Sequence, residues 1–240
     1  MKIIRNIFIG LAVLTLLGVV GFFLLIADFN PEPAQLELTM LNDTTLKAKG
    51  NIDGATAEQF LVALDAPNLD TLVITSGGGS VRDSVKIAQK IHERSLKLVV
   101  EDYCMSSCLN YFVPAAQLVT IREDSILGFH GSAETTADFL GPLGFLFGAD
   151  IRPERAFLEQ INKPGDMHFQ LNDRRTAYVE QHGLDDVNFW MVGPWFFETF
   201  DVSLNPGSYF PESQAALDAQ VARIKGDSDE ELTLEMAGYF

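Results

Sequence analysis

Basic residues are scarce in this chain. Its 240 residues hold 17 Lys plus Arg against 33 Asp plus Glu, a formal net charge of −16. Phosphate neutralisation needs a basic face, so a nucleic-acid-binding protein is excluded as a first reading. Cysteine is nearly absent too, with Cys104 and Cys108 the whole supply. Two thiols are too few for a disulfide-stapled scaffold or a four-thiolate zinc site. The four histidines show no metal-ligand spacing, and His92, His168 and His182 read as surface or satisfied core residues. No Walker motif, internal repeat or low-complexity tract is present, so any ATP dependence would need a partner.

Apolar material is plentiful. Hydrophobic residues make up 47% of the chain and Phe alone contributes 18, ample for a packed core. Part of it is concentrated at the start. Ile7 to Ala27 is 21 residues without a charge, preceded by Lys2 and Arg5 and followed by Asp28. About 20 apolar residues in helical form span a bilayer, and the basic flank keeps the N-terminus cytoplasmic. A cleaved signal peptide is the competing reading, but its apolar region is shorter and no A-x-A site follows here. Residues 1–27 are therefore expected to be an uncleaved signal anchor, a single transmembrane helix. Residues 28–35, with Pro31 and Pro33, read as a linker, and 36–240 as an extracytoplasmic, periplasmic α/β domain. Without Lys2 and Arg5 the remainder carries 15 basic against 33 acidic residues. The anchor, not electrostatics, would hold such a domain at an anionic lipid surface.

From Leu36 to Gly131 the pattern alternates strand and helix. Strands are expected at Leu46–Ile52, Thr71–Thr75, Leu96–Val100, Leu118–Ile121 and Ser125–His130. Helices are expected at Thr56–Leu64, with Thr56 as N-cap, at Val81–Arg94 and at Ser106–Ala116. Repeated βα units predict mostly parallel strands. Beyond Gly131 the signal weakens. Pro153–Asn162, Asn172–His182 and Gln214–Lys225 read as helices. The apolar segments Phe139–Ala149 and Asn188–Phe200 are expected to complete the core or an oligomer interface. The alternative is a lid, a peptide groove or a membrane-lying patch.

Three features at strand ends carry chemistry. Thr75-Ser76-Gly77-Gly78-Gly79-Ser80-Val81 is a glycine turn between a buried strand and a helix. Cys104-Met105-Ser106-Ser107-Cys108 follows a strand and opens a helix. Leu127-Gly128-Phe129-His130-Gly131 ends a strand on a histidine. A serine at a strand-to-helix junction is presented beside helix N-terminal amides, which favour negative charge. Glycines let backbone N–H groups approach a substrate closely, so the parts suit an oxyanion hole. A histidine in reach could take the serine proton and return it. Cys104 and Cys108 bracket the serine at i and i+4, on one helix face. An oxidising compartment permits a disulfide between them, and two small buried thiols are the alternative.

Here the sequence resembles a known group. Leu46 to Ser132 is similar to the superfamily of Clp-protease proteolytic subunits and crotonases, in particular to its membrane-associated, extracytoplasmic serine-peptidase branches. Thr75–Val81 matches the N-S-P-G-G-x-V pattern with Gly77 in place of Pro. Cys104–Cys108 matches a C-x-S-x-C form of the nucleophile segment, and Ser125–His130 the strand ending in the histidine. The resemblance implies a repeated ββα-type spiral domain, with an apolar insertion at about 132–200. Position by position it makes Ser106 the nucleophile, with Ser107 its rival, and His130 the general base. The amides of Gly78 and Ser107 would form the oxyanion hole, with Gly79 shaping the turn. The third triad member departs from the pattern. The pattern calls for an Asp, and Asp201 is the nearest Asp before the last helix, with Asn205 closer still. Asp173, Asp185 and Asp186 are alternatives, as is a Ser-His dyad. The resemblance implies peptide or unfolded-protein substrates, no cofactor and a homo-oligomer. A catalytically silent interaction module at the membrane is the alternative.

Overall fold

Among the described residues eight strands build one sheet in the order β1-β2-β3-β4-β6-β7-β8, with β5 paired to β4 off that path. They are β1 (Leu36–Asn42), β2 (Thr45–Gly50), β3 (Thr71–Ser76), β4 (Lys97–Met105), β5 (Leu118–Ile121), β6 (Ile126–Phe129), β7 (Phe189–Val192) and β8 (Leu234–Gly238). The computed structural model describes residues 35–183, 189–225 and 234–238. The expected anchor at 1–27 and almost all of the linker lie outside the described residues, as do Asp185 and Asp186. Among the described residues, no helix is long and apolar enough to cross a membrane.

The centre of the sheet is parallel, as the βα alternation predicts. β2, β3 and β4 run parallel, and β4 is parallel to both β5 and β6. β3 (TLVITS) is buried along nearly its whole length, because helices cover both faces of a parallel sheet. β4 changes partner midway. Lys97–Val100 pairs with β5 and Tyr103–Met105 with β6. Asp102 marks the switch with φ +61°, a left-handed conformation that Asp tolerates better than most residues. The flanks were not foreseen. β1 joins β2 as an antiparallel hairpin, and β7 lies antiparallel to β6. β7 returns to the sheet at Phe189, well inside the stretch expected to be an insertion.

The helices are α1 (Gly54–Leu64), α2 (Val81–Glu93), α3 (Val113–Ala115), α4 (Ala133–Phe139), α5 (Gly148–Gln160), α6 (Met167–His182), α7 (Pro194–Thr199) and α8 (Gln214–Lys225). α1 starts earlier than expected. Asp53 caps it by accepting from Thr56 N, while Thr56 Oγ1 accepts from Asp53 N, both at 2.8 Å. Thr56 is thus the third residue of a reciprocal capping box, not the cap. The expected helix after Ser106 is instead a widened π-turn, Cys108–Phe112, running into α3.

The two apolar segments behave differently. Trp190, Met191, Phe196, Phe197 and Phe200 are buried in the core, as expected for that segment. Phe139, Leu143 and Phe145 are exposed, Phe139 by 89%. Gly141, Pro142 and Gly144 force this stretch into a 3₁₀ turn, Gly141–Phe147. A Cβ on Gly144 would sit 2.3 Å from the Ala137 carbonyl oxygen. Close backbone packing therefore fixes the turn and leaves its apolar side chains outside.

One polar cluster is sealed in the interior. Glu154 on α5 is fully buried and His168 on α6 is 1% exposed. Glu154 accepts from the Tyr111 hydroxyl at 3.3 Å and from the Glu134 amide at 3.2 Å. His168 Nδ1 lies 2.7 Å from its carboxylate. Burial, reinforced by Glu154, pushes the Tyr111 phenol well above its ordinary value. One carboxylate thus ties α4, α5 and α6 to the π-turn. Glu154→Ala should strand the buried Tyr111 hydroxyl and Glu134 amide, remove the anion beside His168 and cost about 3 kcal/mol or more. Chemical denaturation measures this, and a loss under about 1 kcal/mol would contradict it.

Candidate active site

β3, β4 and β6 are parallel neighbours, so their C-terminal ends share one edge of the sheet. Ser76 pairs with Cys104, and Cys104 with Leu127. That register sets the Gly77–Gly79 turn, Ser106 and His130 side by side. Crevices outside the carboxyl ends of parallel strands are the usual ligand sites of such sheets.

Ser106 sits on a sharp elbow with φ +54°, an unfavourable conformation for a residue with a Cβ. Its amide donates to Gly128 O at 2.8 Å, and its carbonyl accepts from Asn110 N at 2.9 Å. The elbow is thus held by the neighbouring strand β6 and by the helical turn after it. A Cys104–Cys108 disulfide closes across it, with the Cα atoms 5.3 Å apart. The pair does not share a helix face as the spacing suggests. Cys104 lies in β4 and Cys108 begins the π-turn, and the elbow between them brings the thiols together.

His130 Nε2 lies 2.6 Å from Ser106 Oγ. In the tautomer with the proton on Nδ1, the serine hydroxyl donates to Nε2. The His130 ring packs on Phe189 with centroids 4.8 Å apart. The His130 carbonyl accepts from Arg175 Nη1 at 3.3 Å, and the Gly131 carbonyl from Asn110 Nδ2 at 2.7 Å. Loss of water around the ring, with the Arg175 charge second, holds its pKa below the ordinary 6.5. Ser107 faces elsewhere. It is 3% exposed, and its hydroxyl donates to Gly79 O at 2.8 Å.

The glycine turn packs against the elbow. Gly78 has φ +91°, and a Cβ there would lie 2.7 Å from Ser107 N and 3.0 Å from Ser106 Cβ. The Gly78 amide donates to Ser76 Oγ at 3.1 Å. Ser107 stands at the start of the helical segment, where amides lack intrahelical acceptors. Gly79 has φ +137° and lies against Ile52, whose amide donates to Gly78 O and whose carbonyl accepts from Ser80 N. Gly77, which replaces the proline of the resembled pattern, donates its amide to Asn51 Oδ1 at 3.1 Å. A proline has no such proton to give.

Asp201 is not at this site. The next strand-like stretch, Ser203–Asn205, bonds to Val119 at the start of β5, which pairs with the start of β4. His130 follows β6, which pairs with the end of β4. The stretch of β4 from Leu98, paired with Val119, to Met105, paired with Gly128, separates the two levels by about 23 Å of strand. Asp201 instead receives the Lys163 ammonium on its carbonyl at 2.8 Å. Asn205 bonds to Thr120, also away from the site. Asp173 is exposed on α6, off the face that meets His130. Among the described residues no carboxylate is hydrogen-bonded to His130.

Beside His130 opens a cleft of about 420 Å³, lined by His130, Thr135, Thr136, Phe139, Asn172, Arg175, Thr176 and Val179. Sequence reasoning missed the α6 wall of this cleft. Its signal was the Arg174-Arg175 pair, unusual in so acidic a helix-bearing chain. A larger cleft, about 600 Å³, lies at Glu134, Arg155, Glu159 and Lys163 but touches neither Ser106 nor His130. Among the described residues no group of three or more His, Cys, Asp or Glu is placed to hold a metal ion.

No protein-family model matches the chain, and no curated protein matches it in sequence. Solved structures do show partial likeness. One is an enoyl-CoA hydratase from Bacillus anthracis, 11% identical, covering 42% of this chain and 51% of that one, with TM-score 0.33. Another is a putative enoyl-CoA hydratase/isomerase from Novosphingobium aromaticivorans, 12% identical, covering 45% and 54%, with TM-score 0.34. A third is a ClpP1 mutant from Listeria monocytogenes, 19% identical, covering 50% and 77%, with TM-score 0.36. The chain spans about half the length of the two hydratases.

Gly78→Ala combines a positive φ with contact against the elbow backbone. It should cost about 1–3 kcal/mol in chemical denaturation. Gly148→Ala, with open space around it, should stay within about 0.5 kcal/mol. Equal effects of the two would contradict the packing argument.

Proposed function

We propose that this chain is a serine hydrolase of the peptidase type, working through a Ser106–His130 dyad. The observation that carries the reading is the 2.6 Å contact between Ser106 Oγ and His130 Nε2, on an elbow facing a glycine turn. His130 Nε2 takes the hydroxyl proton as Oγ attacks a carbonyl carbon. The negative oxygen of the tetrahedral intermediate is received by the amides of Gly78 and Ser107. For this the Gly78 N–H exchanges Ser76 Oγ for the oxyanion. His130 passes the proton to the leaving amine, and water then hydrolyses the acyl-serine by the same route in reverse. The chemistry needs no cofactor.

The sequence resemblance extends the proposal. The fold is read as a Clp/crotonase-like ββα spiral, peptides or unfolded proteins are the substrates, and the working form is a homo-oligomer. Ile7–Ala27 anchors the chain as a single-pass helix with the domain on the extracytoplasmic side, where an unpaired catalytic apparatus and a disulfide are both compatible with an ATP-free, oxidising space.

A second reading is a catalytically silent module that keeps the fold for assembly at the membrane. The lack of a carboxylate on His130 among the described residues favours it, because nothing there offsets the positive charge that the ring must acquire. Fluorophosphonate labelling separates the two readings. The wild-type chain should label, Ser106→Ala should not, and Ser107→Ala should. His130→Ala should lose labelling while its Tm moves by no more than about 2 °C, since its ring hydrogen bond goes to Ser106 at the edge of the cleft. A folded wild-type sample that takes no label contradicts the hydrolase.

The pH dependence has a fixed sign. Only neutral His130 can accept the proton, and its pKa lies below 6.5. The labelling rate should therefore fall on acidification with a midpoint below pH 6.5. A midpoint above it would contradict the environment described for the ring.

A further inference from the structure

The cleft beside His130 carries a charge that the chemistry above does not use. Among the described residues its lining holds one fixed cation, Arg175, and no Asp or Glu. This is unexpected on a chain of net charge −16. Arg82, Arg122, Arg155 and Arg223 are each paired with a carboxylate. Arg175 has no ion pair among the described residues. Its guanidinium sits 5.0 Å from the Trp190 ring centroid and spends one Nη1 proton on the His130 carbonyl. The rest of its planar fork has no protein acceptor among the described residues. Half-burial removes much of the water that would otherwise satisfy it, which also lowers its pKa, although an arginine stays charged. An arginine fork matches a carboxylate in two parallel hydrogen bonds, and part-desolvation strengthens that pairing. Asn172, Thr135 and Thr176 add polar wall around it, and the exposed ring of Phe139 forms an apolar rim.

We propose that Arg175 makes this cleft a carboxylate-recognition subsite, so that preferred substrates carry a carboxylate beside the bond that Ser106 attacks. The inference rests on the hydrolase reading of Ser106 and names its substrate class. The carboxylate has two sources, an Asp or Glu side chain or the free C-terminus of a peptide. Recognition is short-range. The acidic surface as a whole repels such peptides at a distance, so the selectivity comes from the fork itself.

The test uses the full chain in detergent and paired phosphonate probes, so no natural substrate need be known. One pair of peptidyl phosphonates carries Glu or Gln at the residue flanking phosphorus, with all other termini blocked. A second pair is neutral and ends in a free or an amidated C-terminus. Labelling rates are compared as ratios within each protein, with a plain alkyl fluorophosphonate as reference. The wild type should favour the carboxylate member of one pair by about tenfold or more, and the pair concerned identifies the source. Arg175→Gln should reduce that ratio to near one. Arg175→Lys keeps the charge without the fork and should retain part of the preference. A wild type that takes the plain probe but shows no preference in either pair overturns this proposal and leaves the hydrolase standing. A preference undiminished in Arg175→Gln, or lost equally in Arg175→Lys, also overturns it. A folded wild type that takes no probe at all fails the hydrolase reading instead.

Discussion

Three parallel strands reach the same edge of one sheet, and the site depends on that register. Ser76, Cys104 and Leu127 are in line across β3, β4 and β6, so the three loops that follow must meet. A slip of one residue in β4 would turn Ser106 to the other face, because side chains alternate along a strand. Two features hold the pairing. β4 can serve both β5 and β6 because it changes partner at Asp102. The Gly78 backbone also lies so close to Ser107 that only glycine fits.

Around that register the chain concentrates restraints on a strained residue. Ser106 is held at positive φ by a bond to strand β6, a helical bond after it and a disulfide across it. Asn110 reaches from the π-turn to the Gly131 carbonyl and joins the elbow to the histidine loop. Glu154 braces Tyr111, in the same π-turn, from behind. Such strain persists only where the surroundings over-determine it. The electrostatics are unlike those of a full triad. Among the described residues the charge acting on His130 is the Arg175 cation and not a carboxylate, and it adds to the loss of water in holding the ring towards its neutral form.

Much of this was legible in the sequence because the signals are local. The run TLVIT announces a buried strand, the three glycines a turn, and Val85, Ala88 and Ile91 a helix stripe. Ser106 and His130 could be assigned to one sheet edge because each follows a strand. What failed depends on distance in three dimensions. Asp201 looks suitable by its place before the last helix, but that stretch runs beside β5 and starts at the wrong end of it. Arg175 belongs to a helix whose sequence reads as ordinary and charged, and only its packing over Trp190 brings it to the cleft. β7 was hidden in an aromatic segment that gives no period. Phe139 and Phe145 lie in a segment read as core or oligomer interface, and composition cannot choose between the two, because it does not show that Gly141, Pro142 and Gly144 keep this stretch out of the core.

The most direct test of the account is a crystal structure of the protein after phosphonylation by a fluorophosphonate. The account predicts phosphorus bonded to Ser106 Oγ, with the phosphoryl oxygen about 3 Å from both the Gly78 and Ser107 amides. The Gly78 N–H would have released Ser76 Oγ to make that bond. Phosphorus on another residue, or a phosphoryl oxygen turned to solvent away from both amides, would contradict it.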